Sequence, residues 1–419
     1  MSKYYEAVSG SLIPSAYTLS EFAVDVANSS FQGKVSIDLA ANEEAHYLEL
    51  NYRDLTISQL GIQIIADGSP VAIKCLEFNK KKESFKIIFE SAIAKGALVF
   101  ATVEYSGIIQ TNMAGFYKST YKQENEERVM LSTQFEATDA RRAFPCLDEP
   151  EYKATFQVSV TIRDDWTVLG NTAVKSTTQL PENLKTVTFE ITPKMSTYLL
   201  AWVCGDFEYT ESFTDLNYQD GKKLPVRIYT TPGYIKEAAF ALEIAPKIVD
   251  YFLTIFEIKY PLLKLDLIAV HAFSHNAMEN WGLITYRSTA LLFNPEKSAP
   301  LYKQKVCYVV AHEIAHQWFG DLVTMQWWDE LWLNEGFATF AGYAAVDHLF
   351  PEWNIFSTFV NDSQQFALTL DGLKNSHPIE VPVKDALDID QVFDAISYLK
   401  GALVIQMISS YLGSDVFFK

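Results

Sequence analysis

The chain has 419 residues, 34 basic against 52 acidic side chains, a net charge of −18 and 49% hydrophobic residues. That length accommodates two to four domains with ample core, and an aromatic content of 14% excludes a disordered chain. The acidic balance argues against a nucleic-acid partner, whose phosphates need clustered Lys and Arg, and against a polybasic membrane-surface protein.

From the N-terminus, MSKYYEAVSGSLIP lacks the apolar run of a secretory signal, and no stretch reaches the roughly 18 apolar residues of a membrane span. Residues 34–39, 85–89, 156–162 and 186–191 alternate apolar and polar side chains with period two, which predicts strands. Many such strands with little helical pattern predict antiparallel sheets in a sandwich or saddle. The polar stretch 210–223, with Gly221 inside it, reads as a boundary. Beyond it, 226–229 reads as a short strand, and 235–256, 303–319, 333–349 and 394–412 carry apolar residues at helical spacing. The expected fold class is α+β and multi-domain: an all-β domain over 1–208 followed by a mainly helical domain over 209–419. Cys75, Cys146, Cys204 and Cys307 form no CxxC pair, which favours reduced thiols and a cytoplasmic location. The sequons at Asn28 and Asn361 then read as chance matches.

The chemistry concentrates at HEIAH, residues 312–316, inside the predicted helix 303–319. Residues four apart on a helix lie about 40° apart around it and about 6 Å along it, so His312 and His316 face one point. Neutral imidazole is a preferred zinc donor, and the enclosed Glu313 stands beside the metal rather than on it. Glu335, in LNEGFAT, opens the next predicted helix 19 positions beyond His316 and can bring a carboxylate to the same ion. Two histidines and one glutamate leave a fourth position for water, the pattern of one catalytic Zn2+ per chain. Glu313 is the candidate general base, moving a proton from the activated water to the leaving amine. Asp329, between the ligand helices, either orients His312 or His316 or is a helix-capping or solvated carboxylate. Trp281, Trp318, Trp327, Trp328 and Trp332 crowd into the same region. They either shape the cleft or form the core around the ligand helices, with core favoured for most of them.

Several further runs resemble one family. TQFEATDARR at 133–142, FPCLDEP at 144–150, MSTYLLA at 195–201, AMENWG at 277–282 and FDAISY at 393–398 occur in order around the zinc segment. Together they resemble the zinc aminopeptidases of the aminopeptidase N and puromycin-sensitive type, with the cytosolic eukaryotic branch most similar. The resemblance implies a β-saddle followed by a thermolysin-like catalytic domain that hydrolyses the first peptide bond of peptides. It implies that Glu279 holds the substrate's free α-ammonium group with Glu136 as its partner, in charge-assisted hydrogen bonds. It implies that Asn276, Ala277 and Met278 line the substrate and that Tyr398 donates to the oxyanion. The implied partner is a peptide with a free N-terminal amine, with neither nucleic acid nor membrane.

The chain departs from the family pattern at three places. His275-Asn276 stands where the family has a small Ala-Gly pair, Ala272 where it has an acidic residue, and Ser288 where glutamate is frequent. An imidazole at 275 would clash with substrate, occupy the metal's open position, or add a polar contact. Family members also run several hundred residues further, so the catalytic domain is expected to be incomplete at its C-terminus. A truncated, weakly active or inactive homologue that binds peptides or a partner is the alternative reading. An endopeptidase or epoxide hydrolase on the same zinc helix is a third, with Glu136 and Glu279 arguing against the endopeptidase.

Overall fold

The computed structural model describes residues 10–218, 221–374 and 376–418. The chain divides into two compact units that part between Asp206 and Phe207. The first is β-rich and the second mixes a sheet with helices.

Three sheets build the first unit. An eight-stranded sheet carries Leu12–Asp25 and Ser30–Ala41 at its centre. A four-stranded sheet holds Gly115–Gln123, Glu126–Gln134, Thr167–Gly170 and Trp202–Gly205. A three-stranded sheet holds Ala45–Asn51, Ile73–Asn79 and Ser84–Ile93. Period-two patterning works as anticipated in Thr155–Arg163, where Phe156, Val158, Val160 and Ile162 are buried. The last predicted strand is shifted: it is Leu184–Phe189, and Ile191 lies outside it and exposed. The expectation of purely antiparallel sheets needs one correction, because Leu12–Asp25 pairs in parallel with Thr155–Arg163. Parallel neighbours need a long crossover, and here the other sheets occupy the intervening chain.

Phe22, Phe31, Phe116 and Trp202 form an aromatic centre, with Phe22 4.9 Å from Trp202 and 4.8 Å from Phe31 between ring centroids. Beside it lies a buried charge network. Arg141 Nε donates to Asp148 Oδ2 at 3.0 Å, and Thr197 Oγ1 donates to Asp148 Oδ1 at 2.6 Å. The Asp148 amide in turn donates to Asn51 Oδ1. Burial alone would lower the Arg141 pKa, but the Asp148 carboxylate outweighs it and the net shift is upward. The network ties together runs that sequence places far apart.

The second unit holds a five-stranded sheet in the order Glu208–Asn217, Lys223–Thr230, Leu265–Val270, Leu283–Arg287, Ala277–Met278. Residues 210–223 are therefore no simple linker: most of them form the first strand and its hairpin, while residues 219 and 220 of that stretch lie outside the described residues. Leu265–Val270 and most of Leu283–Arg287 are buried on both faces and pair in parallel. Such strands read as continuous apolar runs without alternation, which is why period-two patterning passes over them.

Four longer helices belong to this unit. We label them α1 (Ala239–Phe256), α2 (Pro300–His316), α3 (Leu331–Leu349) and α4 (Gly401–Leu412). Helix α2 starts and ends three residues before the predicted stretch, since Pro300 suits its first turn and Gln317–Phe319 bend away toward Gly320, whose φ is +138°. Phe319 keeps its helical phase in the sequence because it stacks on Phe337 of α3. Trp281, Trp318, Trp327 and Trp328 are buried and Trp332 is half-buried, in line with the core reading. Among the described residues no helix is long and apolar enough to cross a membrane.

Glycines set the helix crossings. A Cβ on Gly342 would stand 3.2 Å from the His312 backbone nitrogen, so α3 lies close against the ligand helix. A Cβ on Gly336 would meet the Gly401 carbonyl carbon at 2.9 Å and the Ala402 nitrogen at 3.0 Å, and neither backbone can yield. Gly336→Ala is therefore expected to destabilise the protein by about 1–3 kcal/mol, the usual cost of overpacking, as read by urea unfolding.

Candidate active site

Helix α2 places His312 and His316 one turn apart, and α3 brings Glu335 to them from its first turns. His312 Nε2 and His316 Nε2 are 3.1 Å apart, and Glu335 Oε2 lies 3.3 Å from each. With zinc–ligand bonds of about 2.0–2.2 Å, tetrahedral donors stand roughly 3.3–3.6 Å apart, so this triangle matches one face of a zinc site. All three residues are buried, and Glu335 Oε2 accepts no hydrogen bond of ordinary geometry among the described residues. A buried carboxylate oxygen left in that condition is costly unless a cation meets it. The donor set fits the metal that the sequence motif predicts.

The other ring nitrogens are also positioned. His316 Nδ1 is 2.9 Å from the Phe319 carbonyl, so it carries the proton and leaves the Nε2 lone pair for a metal. His312 Nδ1 faces Thr339 Oγ1 at 3.5 Å. These orienting places, anticipated for Asp329, belong instead to a backbone carbonyl and a hydroxyl. Asp329 itself sits half-buried in the short turn Trp328–Glu330, its carboxyl raised mainly by burial. Thr339 lies four residues along α3 from Glu335.

Electrostatics couple the cluster. Burial raises the Glu313 carboxyl well above its usual range, His316 opposes, and Glu279 and Glu335 raise it further. Burial opposes the charged form of His316, yet Glu279 and Glu335 outweigh it and the net shift is strongly upward. For Glu335 burial is again the largest influence, but the two histidines reverse it and lower its carboxyl. Glu279 is raised, burial first, with its Oε1 3.9 Å from His316 Nδ1 and without a hydrogen-bond partner among the described residues.

Ala277–Met278 is the edge strand of the five-stranded sheet, paired to Tyr286 and Thr285. Arg287 holds the preceding loop through the Phe273 and Ser274 carbonyls, and its amide donates to Asn276 O. His275 and Asn276 are exposed, with Ser274 Oγ 3.1 Å from His275 Nδ1. Among the described residues the imidazole at 275 is not part of the cluster of possible metal donors. Glu136 belongs to the first unit, half-buried just after the strand Glu126–Gln134.

Tyr398 rides on a wide turn, Ile396–Lys400, with its ring 6.3 Å from that of His312 between centroids. Asp394 caps this turn by accepting from the Ile396 and Ser397 amides at 3.0 Å each. His377 Nε2 meets Asp394 Oδ2 at 2.7 Å and its Nδ1 meets the Pro378 carbonyl at 2.7 Å. Both partners only accept, so both bonds together require imidazolium. Burial pulls the His377 pKa down, but these bonds win and the net shift is upward. A group raised on folding stabilises fully below its unfolded pKa, about 6.5, and that contribution fades as pH rises through the folded value. The stability gap between the wild type and His377→Gln is therefore expected to be widest below that pH and to narrow above it in urea titrations. A gap that widens with pH would refute the assignment.

Composition and motif reading did not single out Thr339, Gly336, Gly342 or Gln317. Only the small size of the two glycines within an apolar helix pattern could have flagged any of them.

Comparison with known proteins gives two family-model matches. The peptidase M1 N-terminal domain matches residues 13–199, and the peptidase family M1 domain matches residues 240–419. "Aminopeptidase M1" of Arabidopsis thaliana is 44% identical over 408 residues, covering 97% of this chain and 45% of the relative. "Alanine/arginine aminopeptidase" of Saccharomyces cerevisiae is 43% identical, covering 93% of this chain and 44% of its own. "Aminopeptidase 2" of Candida albicans is 42% identical, covering 94% and 41%. The chain thus spans less than half the length of these relatives.

Proposed function

Because the chain belongs to the peptidase M1 family, we propose that it is a zinc-dependent aminopeptidase releasing the first residue of peptides with a free N-terminal amine. The observation that carries the reading is the buried His312–His316–Glu335 triangle with the Glu279 carboxylate beside it. His312, His316 and Glu335 would hold the ion. When bound, zinc lowers the pKa of water and polarises the scissile carbonyl.

The protein's own groups would do the rest. Glu313, next to the ligand His312 on α2, accepts a proton from the attacking water and returns it to the leaving amine. The Tyr398 hydroxyl donates to the developing oxyanion. Glu279 binds the α-ammonium group; a buried carboxylate with an unpaired oxygen favours a cation over a neutral, acylated terminus. Glu136 is proposed as its partner on the strength of its TQFEAT motif. Ala277–Met278, an edge strand, offers backbone groups along which an extended peptide can lie next to Asn276. The domain division at about residue 208 and a cytoplasmic location are proposed with it, the latter supported by the free, mostly buried cysteines. One relative, 41% identical, is named mitochondrial.

The test is turnover of an aminoacyl-amide and its N-acetylated form by zinc-loaded protein, before and after chelation. Activity confined to the free amine, lost with the metal and restored by zinc, is expected; equal cleavage of the acetylated form refutes the reading. His275-Asn276 favours a second reading, a homologue that binds peptides without turning them over. A large gain of turnover in the double substitution His275→Ala, Asn276→Gly would support that second reading for the wild type.

A further inference from the structure

Resting on the aminopeptidase reading, we propose that Gln317 is the positioning residue that sets the spacing between the metal donors and the amine anchor Glu279. Gln317 is fully buried, directly follows the ligand His316, and caps α2. Both ends of its side-chain amide are spent on the segment that carries Glu279. Nε2 donates to the Glu279 carbonyl at 2.8 Å, and Oε1 accepts from the Gly282 amide at 2.9 Å. Tyr260 adds its hydroxyl to the same Oε1 at 3.3 Å.

From the other side, Lys264 Nζ donates to the Gly282 carbonyl at 2.6 Å while paired with Asp266 Oδ2 at 2.9 Å. Gly282 sits at φ +78°, a conformation that glycine adopts without strain, so the turn after Glu279 is itself narrowly defined. The anchor oxygen Oε1 has no hydrogen-bond partner among the described residues and lies 3.9 Å from His316 Nδ1, so its placement depends on this backbone. The chain of positions is short: His316, its neighbour Gln317, the Glu279 carbonyl, the Glu279 carboxylate. No other side chain whose hydrogen bonds are described spans both the metal helix and the AMENWG turn.

In an exopeptidase that spacing decides which bond reaches the metal. A shift of about an ångström between positioning groups costs up to a hundredfold in productive binding or rate. Loss of the amide bridge should therefore weaken recognition of the amine selectively, leaving metal binding intact.

The probes are two hydroxamates that chelate zinc equally, one bearing an α-amine and one with hydrogen in its place. Calorimetry on zinc-loaded wild type, Gln317→Met and Gln317→Glu gives the preference for the amine as a ratio of dissociation constants. Such a ratio is insensitive to the fraction of folded protein. Gln317→Met, matched in volume but without either bond, is expected to lose about tenfold or more of that preference with des-amino binding and zinc content unchanged. Gln317→Glu keeps an acceptor for Gly282 and is expected to fall between. If both hydroxamates weaken alike in both variants, Gln317 is only structural and the proposal falls. A wild type that binds both hydroxamates equally overturns amine anchoring, and with it this inference; failure to bind zinc overturns the metal reading separately.

Discussion

Replacing Glu313 by glutamine is expected to lower kcat/KM on an aminoacyl-amide by about a thousandfold, within the range of positioned proton transfer, without loss of zinc. The substitution is nearly isosteric at a buried position on α2, so packing around the ligands is preserved. What disappears is the ability to accept a proton, since an amide is not a base at neutral pH. The neighbours make the loss hard to compensate: Glu279 and Glu335 are committed to the amine and the metal in the proposed arrangement, and Tyr398 is a donor. Metal content by elemental analysis, measured beside the kinetics, separates a chemical effect from a lost site. A variant retaining more than a tenth of wild-type turnover would exclude Glu313 as the base.

The second large effect is on stability. Asp148→Ala is expected to destabilise the first unit by about 3–5 kcal/mol, the cost of breaking a buried ion pair, with only Glu83 Oε2 at 3.5 Å left to face Arg141. Arg141 is 2% exposed, and its Nε and backbone amide are both within reach of the Asp148 carboxylate. Thr197 Oγ1 would lose its acceptor as well, while the backbone bond from the Asp148 amide to Asn51 Oδ1 is kept. Stability of a domain is of order 5–15 kcal/mol, so this single change removes a large share of it. Asp148→Asn keeps one acceptor oxygen, enough for Arg141 or Thr197 but not for both, and is expected to cost less than Asp148→Ala. Equal urea midpoints for wild type and Asp148→Ala would show that the network contributes nothing.

The candidate site was legible to different degrees. His312, Glu313 and His316 were readable because a helix converts a spacing of four into one face, a purely local relation. Glu335 was readable as a second helix start, but its meeting with both imidazoles depends on α3 lying against α2 at Gly342. Glu279 and Tyr398 carry no local signal of their own and entered through motif resemblance. Asp329 was by position in the chain either an orienting carboxylate or a capping or solvated one; in the fold the Phe319 carbonyl stands at 2.9 Å from His316 Nδ1. Gln317 looked like one more polar residue at a helix end.

Among the folds, alternation exposed half-buried strands such as Thr155–Arg163 and was silent on Leu265–Val270, which has no polar face to alternate with. By itself, then, the order of residues determined the β-rich first half, the helices of the second, and the paired histidines on one helix, because each follows from short-range periodicity. The tertiary structure alone decided the parallel strand pairs, the 3.1–3.3 Å donor triangle and the bridge from Gln317 to Glu279. These join residues distant in sequence, and such contacts are selected by packing and by burial of polar groups, which no local pattern encodes.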